Sequence, residues 1–305
     1  MEKIEEAKTT PAAKPSGKLP VSVIIPVRNE ARNLPRCLQA LSEVGEVYVI
    51  DSQSTDDTVE IARSRGAKVV QFHYQGGWPK KRQWAINTLP IAYGWILLLD
   101  ADEILTPELA EEIRDAIQNP DINGYYIQLR MYFLGRILRY GDVGLWKLSL
   151  FRPGKGHYEC RLARQDSSMA DMEVHEHVVV DGATATLRNP LIHRNVESLS
   201  RYIQKHDEYS NWESHVLTRG GDDSNDERDT ELPPSLAGSQ AQRRRWFKRK
   251  LFAVPGSPVL LFLYRYVLRL GFLDGVPGLI YCGFQAVQMF HTKAKIYELR
   301  STRKA

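Results

Sequence analysis

Cysteine is scarce in this chain: Cys37, Cys160 and Cys282 are the three in 305 residues. Odd in number and widely spaced, they exclude a zinc-ligand pattern and a disulfide framework, so a reducing, cytoplasmic compartment is expected. Long apolar runs are also missing. The most apolar stretch is interrupted by Arg265, Arg269 and Asp274 and by Pro255, Pro258 and Pro277. It never reaches the roughly 18 uncharged residues a spanning helix needs. The opening MEKIEEAKTTPAAKPSGKLP has no apolar h-region, so no secretory signal is expected, and residues 1–19 read as a disordered tail. No internal repeat is visible. An excess of one sign of charge is absent too: the net charge of +4 does not itself imply nucleic acid. Its distribution is uneven, however, with an acidic 222–231 (DDSNDERDTE) and six positive charges in 243–250 (RRRWFKRK).

What is present is an ordinary globular composition, 43% hydrophobic and 26% charged, arranged in strand–helix alternation. Val21 to Val27, Val47 to Ile50, Lys68 to Phe72 and Trp95 to Leu99 read as short buried strands. Helices are expected over 29–42, Thr58–Arg65 and 80–88, with Ser54 to Asp57 capping the second and Gly66 closing it. Short connections of this kind predict a parallel, doubly wound sheet. Downstream the pattern changes to a mixed sheet. A helix opens at Thr106-Pro107, residues 124–133 and 145–151 alternate as antiparallel strands, and 174–180 with 183–187 read as another such pair. A helix is expected over 198–217 and a mobile loop over 220–240.

Two aspartates stand at the end of the fourth strand in Leu97-Leu98-Leu99-Asp100-Ala101-Asp102-Glu103. Open α/β sheets bind ligands at the carboxyl ends of their strands. Two hard oxygen ligands there suit a divalent cation clamped on a diphosphate. Acidic pairs are also common in surface loops, so the preceding strand and the upstream half carry the weight of this reading.

Taken together, VSVIIPVRNEARNL, VIDSQSTDDTVEIA and LLLDADE resemble the first strand and turn, the nucleotide-binding segment and the D-x-D of family 2 glycosyltransferases. The resemblance covers residues 20 to about 195. EVHEHVVVDG, the HDEYSNWE helix and an apolar C-terminal region with a basic lead-in are similar to the lipopolysaccharide-core type of glucosyltransferase. The fold so implied is α/β: a GT-A, Rossmann-like mixed sheet flanked by helices, with a C-terminal helical appendage at the membrane interface. The expected organisation is a tail (1–19), a GT-A catalytic domain (20–195), a helix and mobile acidic loop (196–242), amphipathic membrane-associated helices (243–290) and a basic tail (291–305).

The resemblance implies that Pro26, Arg28 and Glu30 line the nucleotide pocket and that Asp51 accepts a hydrogen bond from the base imide. Lys81 and Arg82 would lie near the diphosphate; the alternative is a solvated basic helix start. Asp100 and Asp102 would hold Mg²⁺ or Mn²⁺, with Asp102 the more direct ligand and Asp100 nearer the ribose or metal-bound water. Resemblance picks Glu176 as the base of an inverting transfer, with Asp171 and Glu173 as competitors. A buried carboxylate has a raised pKa, which suits a base. The resemblance also allows a third metal ligand among His175, His177 and His193, since some GT-A enzymes use a histidine there; a structural or substrate-positioning histidine is the reading preferred for each. Trp146 either stacks on a sugar ring or fills the core, and Arg152 either reaches phosphate or lies on the surface. Gln242 to Trp246 has the Q-x-x-R-W spacing of processive members, but without spanning helices no export channel is inferred.

The expected activity is sugar transfer from a nucleotide-sugar, a UDP-sugar by analogy, to a lipid-linked or glycolipid acceptor. The expected place is the cytoplasmic face of the membrane, as a peripheral protein whose basic stretch and apolar tail meet the membrane surface. One rival is a nucleotidyltransferase, which wants a Gly-rich phosphate loop that PVRNEARNL lacks. Another is a catalytically weak membrane-associated adaptor, against which Asp51, Asp102 and Glu176 speak. Nucleic-acid binding through RRRWFKRK finds no interleaved aromatic platform and is not expected.

Overall fold

The computed structural model describes residues 17–160, 176–194, 198–218, 235–237 and 240–302. The readings placed on residues 1–16, on Asp171, Glu173 and His175, and on the acidic loop through residue 234 lie outside them.

The sheet begins as the alternation predicts. Strands β1 (Leu19–Val27), β2 (Val44–Asp51), β3 (Lys68–Gln71) and β4 (Ile96–Leu98) are mutually parallel in the order β3-β2-β1-β4. The side chains of β1, β2 and β4 are mostly apolar on both sides because both faces are covered. Val23, Ile25, Val27, Leu97 and Leu99 pack with Leu34, Leu109 and Ile113 from α1 (Leu34–Gln39) and α4 (Pro107–Ala116). Ile24, Ile50, Ile96 and Leu98 pack with Ala85 of α3 (Lys81–Thr88) on the other face. The helix α2 (Thr58–Ser64) follows β2, and Gly66 adopts φ 78° beyond its end, as a closing glycine does. Thr106 caps α4 by accepting from the Leu109 amide at 3.2 Å.

Beyond β4 the sheet turns mixed. β5 (Glu103–Ile104), β6 (Gly124–Phe133), β8 (Leu145–Phe151) and β12 (Leu191–His193) extend it as β4-β8-β6-β12-β5. The hairpin partner β7 (Arg136–Ile137) pairs with β6.

Two expectations give way. The helix expected over 29–42 is confined to α1, because the amides that would start it are taken elsewhere. Asn29, at φ 57°, donates to Ser54 at 2.8 Å, Glu30 to Thr58 at 2.8 Å and Ala31 to Asp56 at 3.2 Å. The strands expected over 174–180 and 183–187 do not pair with each other. β10 (Val178–Val180) pairs antiparallel with β9 (Gly156–Tyr158), and β11 (Thr184–Thr186) runs parallel to β6. Asp181 donates to Lys155 and Ala183 accepts from Asn123, so the chain between them is tied to two different partners.

The C-terminal part is helical: α5 (Leu199–Thr218), α6 (Gln240–Ala253), α7 (Ser257–Leu263), a π turn (Tyr264–Leu268), a 3₁₀ turn (Gly271–Asp274) and α8 (Gly275–Thr302). The last helix continues through residue 290, where a basic tail was expected to begin. It docks on the β6–β7 hairpin. Tyr281 packs with Phe133 and Leu138, and the Asp274 carboxylate accepts the amides of Arg139 and Tyr140 at 2.9 Å each. No described helix is long and apolar enough to cross a membrane.

Candidate active site

Where the strand order reverses, β1 lies between β2 and β4, and the carboxyl ends of all three open on one rim of the sheet. Asp51 ends β2 and is buried. Its carboxylate accepts from the Ser54 hydroxyl and amide and from the Gln71 side chain at 2.9 Å. Val27 lies opposite Asp51 in register. Before it Pro26 is buried, whereas Arg28 after it is exposed. Glu30 accepts from Asn33 at 2.8 Å and lies 3.6 Å from the ammonium of Lys205 on α5. A polar cavity of about 170 Å³ opens here, lined by Asn29, Glu30, Arg32, Asp56 and Arg201 among others.

Three consecutive basic residues, Lys80, Lys81 and Arg82, start α3, and all are buried. Their ammonium and guanidinium groups diverge. Lys81 donates to the Val27 carbonyl at the end of β1 at 2.9 Å. Arg82 pairs with Asp100. Lys80 pairs with Glu176 at 2.8 Å, both side chains being fully buried. The solvated helix start is thereby ruled out. Each charge is removed from water, which is tolerable because each has a partner.

Asp100 is held from two sides, since Lys147 of β8 donates to its second oxygen at 3.1 Å. Burial alone would raise its pKa, but Arg82 and Lys147 together hold the carboxyl far below the usual range. Lys147 is raised in turn: burial opposes its charge, and Asp100 and Glu103 outweigh that. Fully buried Glu103, raised by burial, accepts the Asp100 amide at 2.9 Å and lies 3.4 Å from Lys147.

Asp102 is differently placed. One carboxylate oxygen is 3.3 Å from Nδ1 of His193 on β12, and that buried nitrogen has no hydrogen-bond partner. A carboxylate oxygen beside an unsatisfied imidazole nitrogen is a ligand pair for a divalent cation. Asp100, already saturated by cations, is not. Among the described residues no cluster of three acidic, histidine or cysteine side chains encloses a metal. Two side chains would leave the rest of a cation's coordination shell to substrate oxygens and water, an arrangement that Mg²⁺ accepts.

Helix α5 covers this rim. Tyr209 of this helix has a raised pKa, chiefly because it is buried, with Lys205 opposing the rise. Trp212 puts its ring 5.4 Å from the Lys80 ammonium. Trp146 is half-buried on β8, opposite Gln128; alternation sends its neighbour Lys147, not Trp146, toward Asp100. Arg152 donates to the carbonyls of Ile122 and Asn119 and stacks 4.5 Å from the Trp95 ring. Those contacts tie Arg152 to structure rather than to the cleft. Lys80, Glu103 and Lys147 were not singled out from sequence. A lone lysine inside the apolar alternation LWKLSLF was the available signal for Lys147.

Residues 22–166 match the family model described as glycosyl transferase family 2. The chain is 26% identical over 288 residues to the lipopolysaccharide core biosynthesis glycosyltransferase LpsC of Rhizobium meliloti, spanning 92% of this chain and 93% of that protein. Residues 22–166 are thus similar to a family 2 glycosyltransferase domain. Its Rossmann-like mixed sheet flanked by helices is of the GT-A kind, and the family's activity is glycosyl transfer from a nucleotide-sugar. An uncharacterized glycosyltransferase of Rickettsia felis is 40% identical over 94 residues, 30% of this chain and 32% of that protein. A solved glucosyl-3-phosphoglycerate synthase from Mycobacterium tuberculosis overlaps at 22% identity and a TM-score of 0.29, covering 38% of this chain and 44% of that one. An overlap so partial leaves the fold assignment to the strand order itself.

Proposed function

We propose that this glycosyltransferase moves a sugar with inversion from a UDP-sugar to a lipid-linked or glycolipid acceptor, at the inner face of the cell membrane. The observation that carries the transfer is the placement of Asp51 and of Asp100 with Asp102 at the carboxyl ends of strands on either side of β1. The first suits a base and the second pair a diphosphate with its cation. Asp102 and His193 would hold Mg²⁺ or Mn²⁺, which supplies charge neutralisation for the departing nucleoside diphosphate. Asp51, fixed by Ser54 and Gln71, would accept a ring N–H and reject a ring acceptor, because the wrong base leaves a buried charge unpaired. Pro26, Arg28 and Glu30 would line the nucleotide. Arg82 would act on the donor through Asp100, and Lys81 by bracing the end of β1. Trp146 would stack on a sugar, although strand alternation puts it off the Asp100 side.

In the transfer itself the acceptor hydroxyl oxygen attacks the anomeric carbon, its proton passes to the Glu176 carboxylate, and the diphosphate departs with the electrons of the broken C–O bond. Glu176 is buried, and its ion pair with Lys80 keeps the carboxylate in the charged form that can accept a proton.

The lipid-linked acceptor draws on the similarity to the lipopolysaccharide-core relative and on the surface of the C-terminal helices. There Val259, Leu268, Val276 and Phe290 are each more than half exposed, with Leu263 and Val267 close behind. The basic helix α6 precedes them. Apolar side chains beside a basic lead-in fit the interface of an anionic bilayer. A nucleotide screen tests the donor reading. UDP with Mn²⁺ should raise the melting temperature, and chelation should abolish the rise. Silence toward every nucleoside diphosphate would overturn the donor reading, and stabilisation indifferent to chelation would overturn the metal. Flotation with anionic and neutral vesicles tests the surface, for which equal recovery in the soluble fraction is the contrary result.

A further inference from the structure

We propose that Lys80 is a positioning residue for Glu176, aiming the carboxylate at the acceptor hydroxyl; the proposal rests on the reading of Glu176 as the base. Ninety-six positions separate the two in sequence, yet the ammonium and Oε2 are 2.8 Å apart with neither side chain exposed. The carboxylate is gripped at its side chain, and its backbone is gripped separately. The next residue, His177, donates its amide to Glu159 at 2.8 Å and accepts from the Glu159 amide at 3.0 Å, which fixes the chain beside β9. Lys80 is fixed as firmly. It sits at the N-cap position of α3, its carbonyl accepts the Trp84 amide at 2.8 Å, and its ammonium faces the Trp212 ring.

Stability alone does not account for such a pair, since a buried ion pair is often replaceable by apolar side chains without loss. Orientation does account for it. Lys80 stands two residues before Arg82, which holds Asp100. One half-turn of α3 therefore fixes the carboxylate at the departing diphosphate and the carboxylate that would take the acceptor proton. The distance between those two groups is then set by rigid backbone rather than by loops. A misplacement of about 1 Å at the base costs on the order of a hundredfold in rate, a penalty large enough to keep a buried lysine in place.

The test uses the full chain as Lys80→Met, Lys80→Arg and Glu176→Gln. Release of nucleoside diphosphate is followed from UDP-, GDP- and dTDP-sugars with Mn²⁺, using whichever sugar the unaltered protein turns over fastest. Lys80→Met should lower kcat by about a hundredfold while donor KM stays within about twofold, and Lys80→Arg should recover most of the loss. A Lys80→Met protein with unchanged kcat and only a lower melting temperature would overturn the proposal. Should that variant fail to fold, Lys80→Arg decides: a kcat lowered at constant donor KM supports positioning, and an unchanged kcat overturns it. Glu176→Gln separates the two readings. An active Glu176→Gln sinks the base assignment and this proposal with it. An inactive one beside a fully active Lys80→Met sinks the role of Lys80 alone. No release from any sugar sinks both.

Discussion

The sheet rim and the C-terminal helices distribute polarity in opposite senses. At the rim, charged groups are inside: Lys80, Lys81, Arg82, Asp51, Asp102, Glu103 and Glu176 are all buried. On the helices, large apolar groups are outside, with Leu268 73% and Val276 67% exposed. Water satisfies neither arrangement. Buried charges persist where they pair with one another or meet a ligand, and a contiguous exposed apolar surface persists where something non-aqueous covers it. The two regions are nonetheless one structure. Helix α5 meets the rim through Trp212 and Lys205, and through Glu213 it meets Thr292 of α8 at 3.3 Å. The helix that covers the rim is therefore packed against the helix that carries part of the exposed apolar surface.

The largest way to break the comparison is at the rim. Asp102→Ala should reduce transfer by about a thousandfold or more, since a cation's contribution to leaving-group departure is worth several kcal/mol. Metal-dependent stabilisation by UDP should vanish with it, measured as the loss of the chelation-sensitive melting shift. Undiminished turnover would show that the cation, if any, is held elsewhere.

Next in size is the buried pair. Lys80→Met takes from buried Glu176 its charged partner, for a loss of about 3–5 kcal/mol in denaturant unfolding. Adding Glu176→Gln removes the uncompensated charge, so the double variant should recover much of that stability while remaining inactive. If the double variant is no more stable than Lys80→Met, the loss comes from packing against Trp212 rather than from charge.

How much of this could be read beforehand differs between the two regions for a physical reason. The strands β1 to β4, β6 and β8 declare themselves because a doubly covered strand is largely apolar along its length and a singly covered one alternates. Asp51, Asp100 and Asp102 declare themselves because they end those runs. Partner choice was not legible. Nothing local in KKR says that three adjacent bases diverge to Glu176, the end of β1 and Asp100, because those contacts close over tens of residues. Equally, VVV and TAT have strand composition without any sign of which neighbour each will take. The shortening of α1 is similar: Asn29 to Ala31 were claimed by Ser54, Thr58 and Asp56 from the next loop, a competition visible only once β1 and β2 are side by side. In the C-terminal region the basic lead-in and apolar helices were evident, and the docking of α8 through Asp274 and Tyr281 was not.

A smaller effect probes the outer surface. Leu268→Asp with Val276→Asp should leave the melting temperature nearly unchanged, because both side chains are exposed, while lowering recovery with anionic vesicles. Replacing Arg243 and Lys250 by Gln should weaken that recovery further by about 1 kcal/mol per charge, a loss that high salt would mimic.

The smallest effect is a control for the buried charges, taken away from the cleft. Glu46 lies on β2 five positions before Asp51, ~17 Å along the strand, and its carboxylate accepts from Ser22 and from Lys68 at 2.7 Å. Burial pushes its pKa up, but the bonds from Lys68 and Ser22 outweigh this and hold it below the usual carboxylate value. A depressed folded-state pKa contributes stability that is fully present above the unfolded value, about 4.3. That stability is lost as pH falls through the folded value. Glu46→Gln should therefore cost about 1–2 kcal/mol at pH 7, reduced because the Lys68 side chain is 60% exposed and screened. The gap from the unaltered protein should narrow toward pH 3 while transfer at pH 7 is untouched. If Glu46→Gln instead impairs transfer as Asp102→Ala does, buried charge on this sheet is a property of the whole strand layer, and the distinction between a functional rim and an inert interior fails.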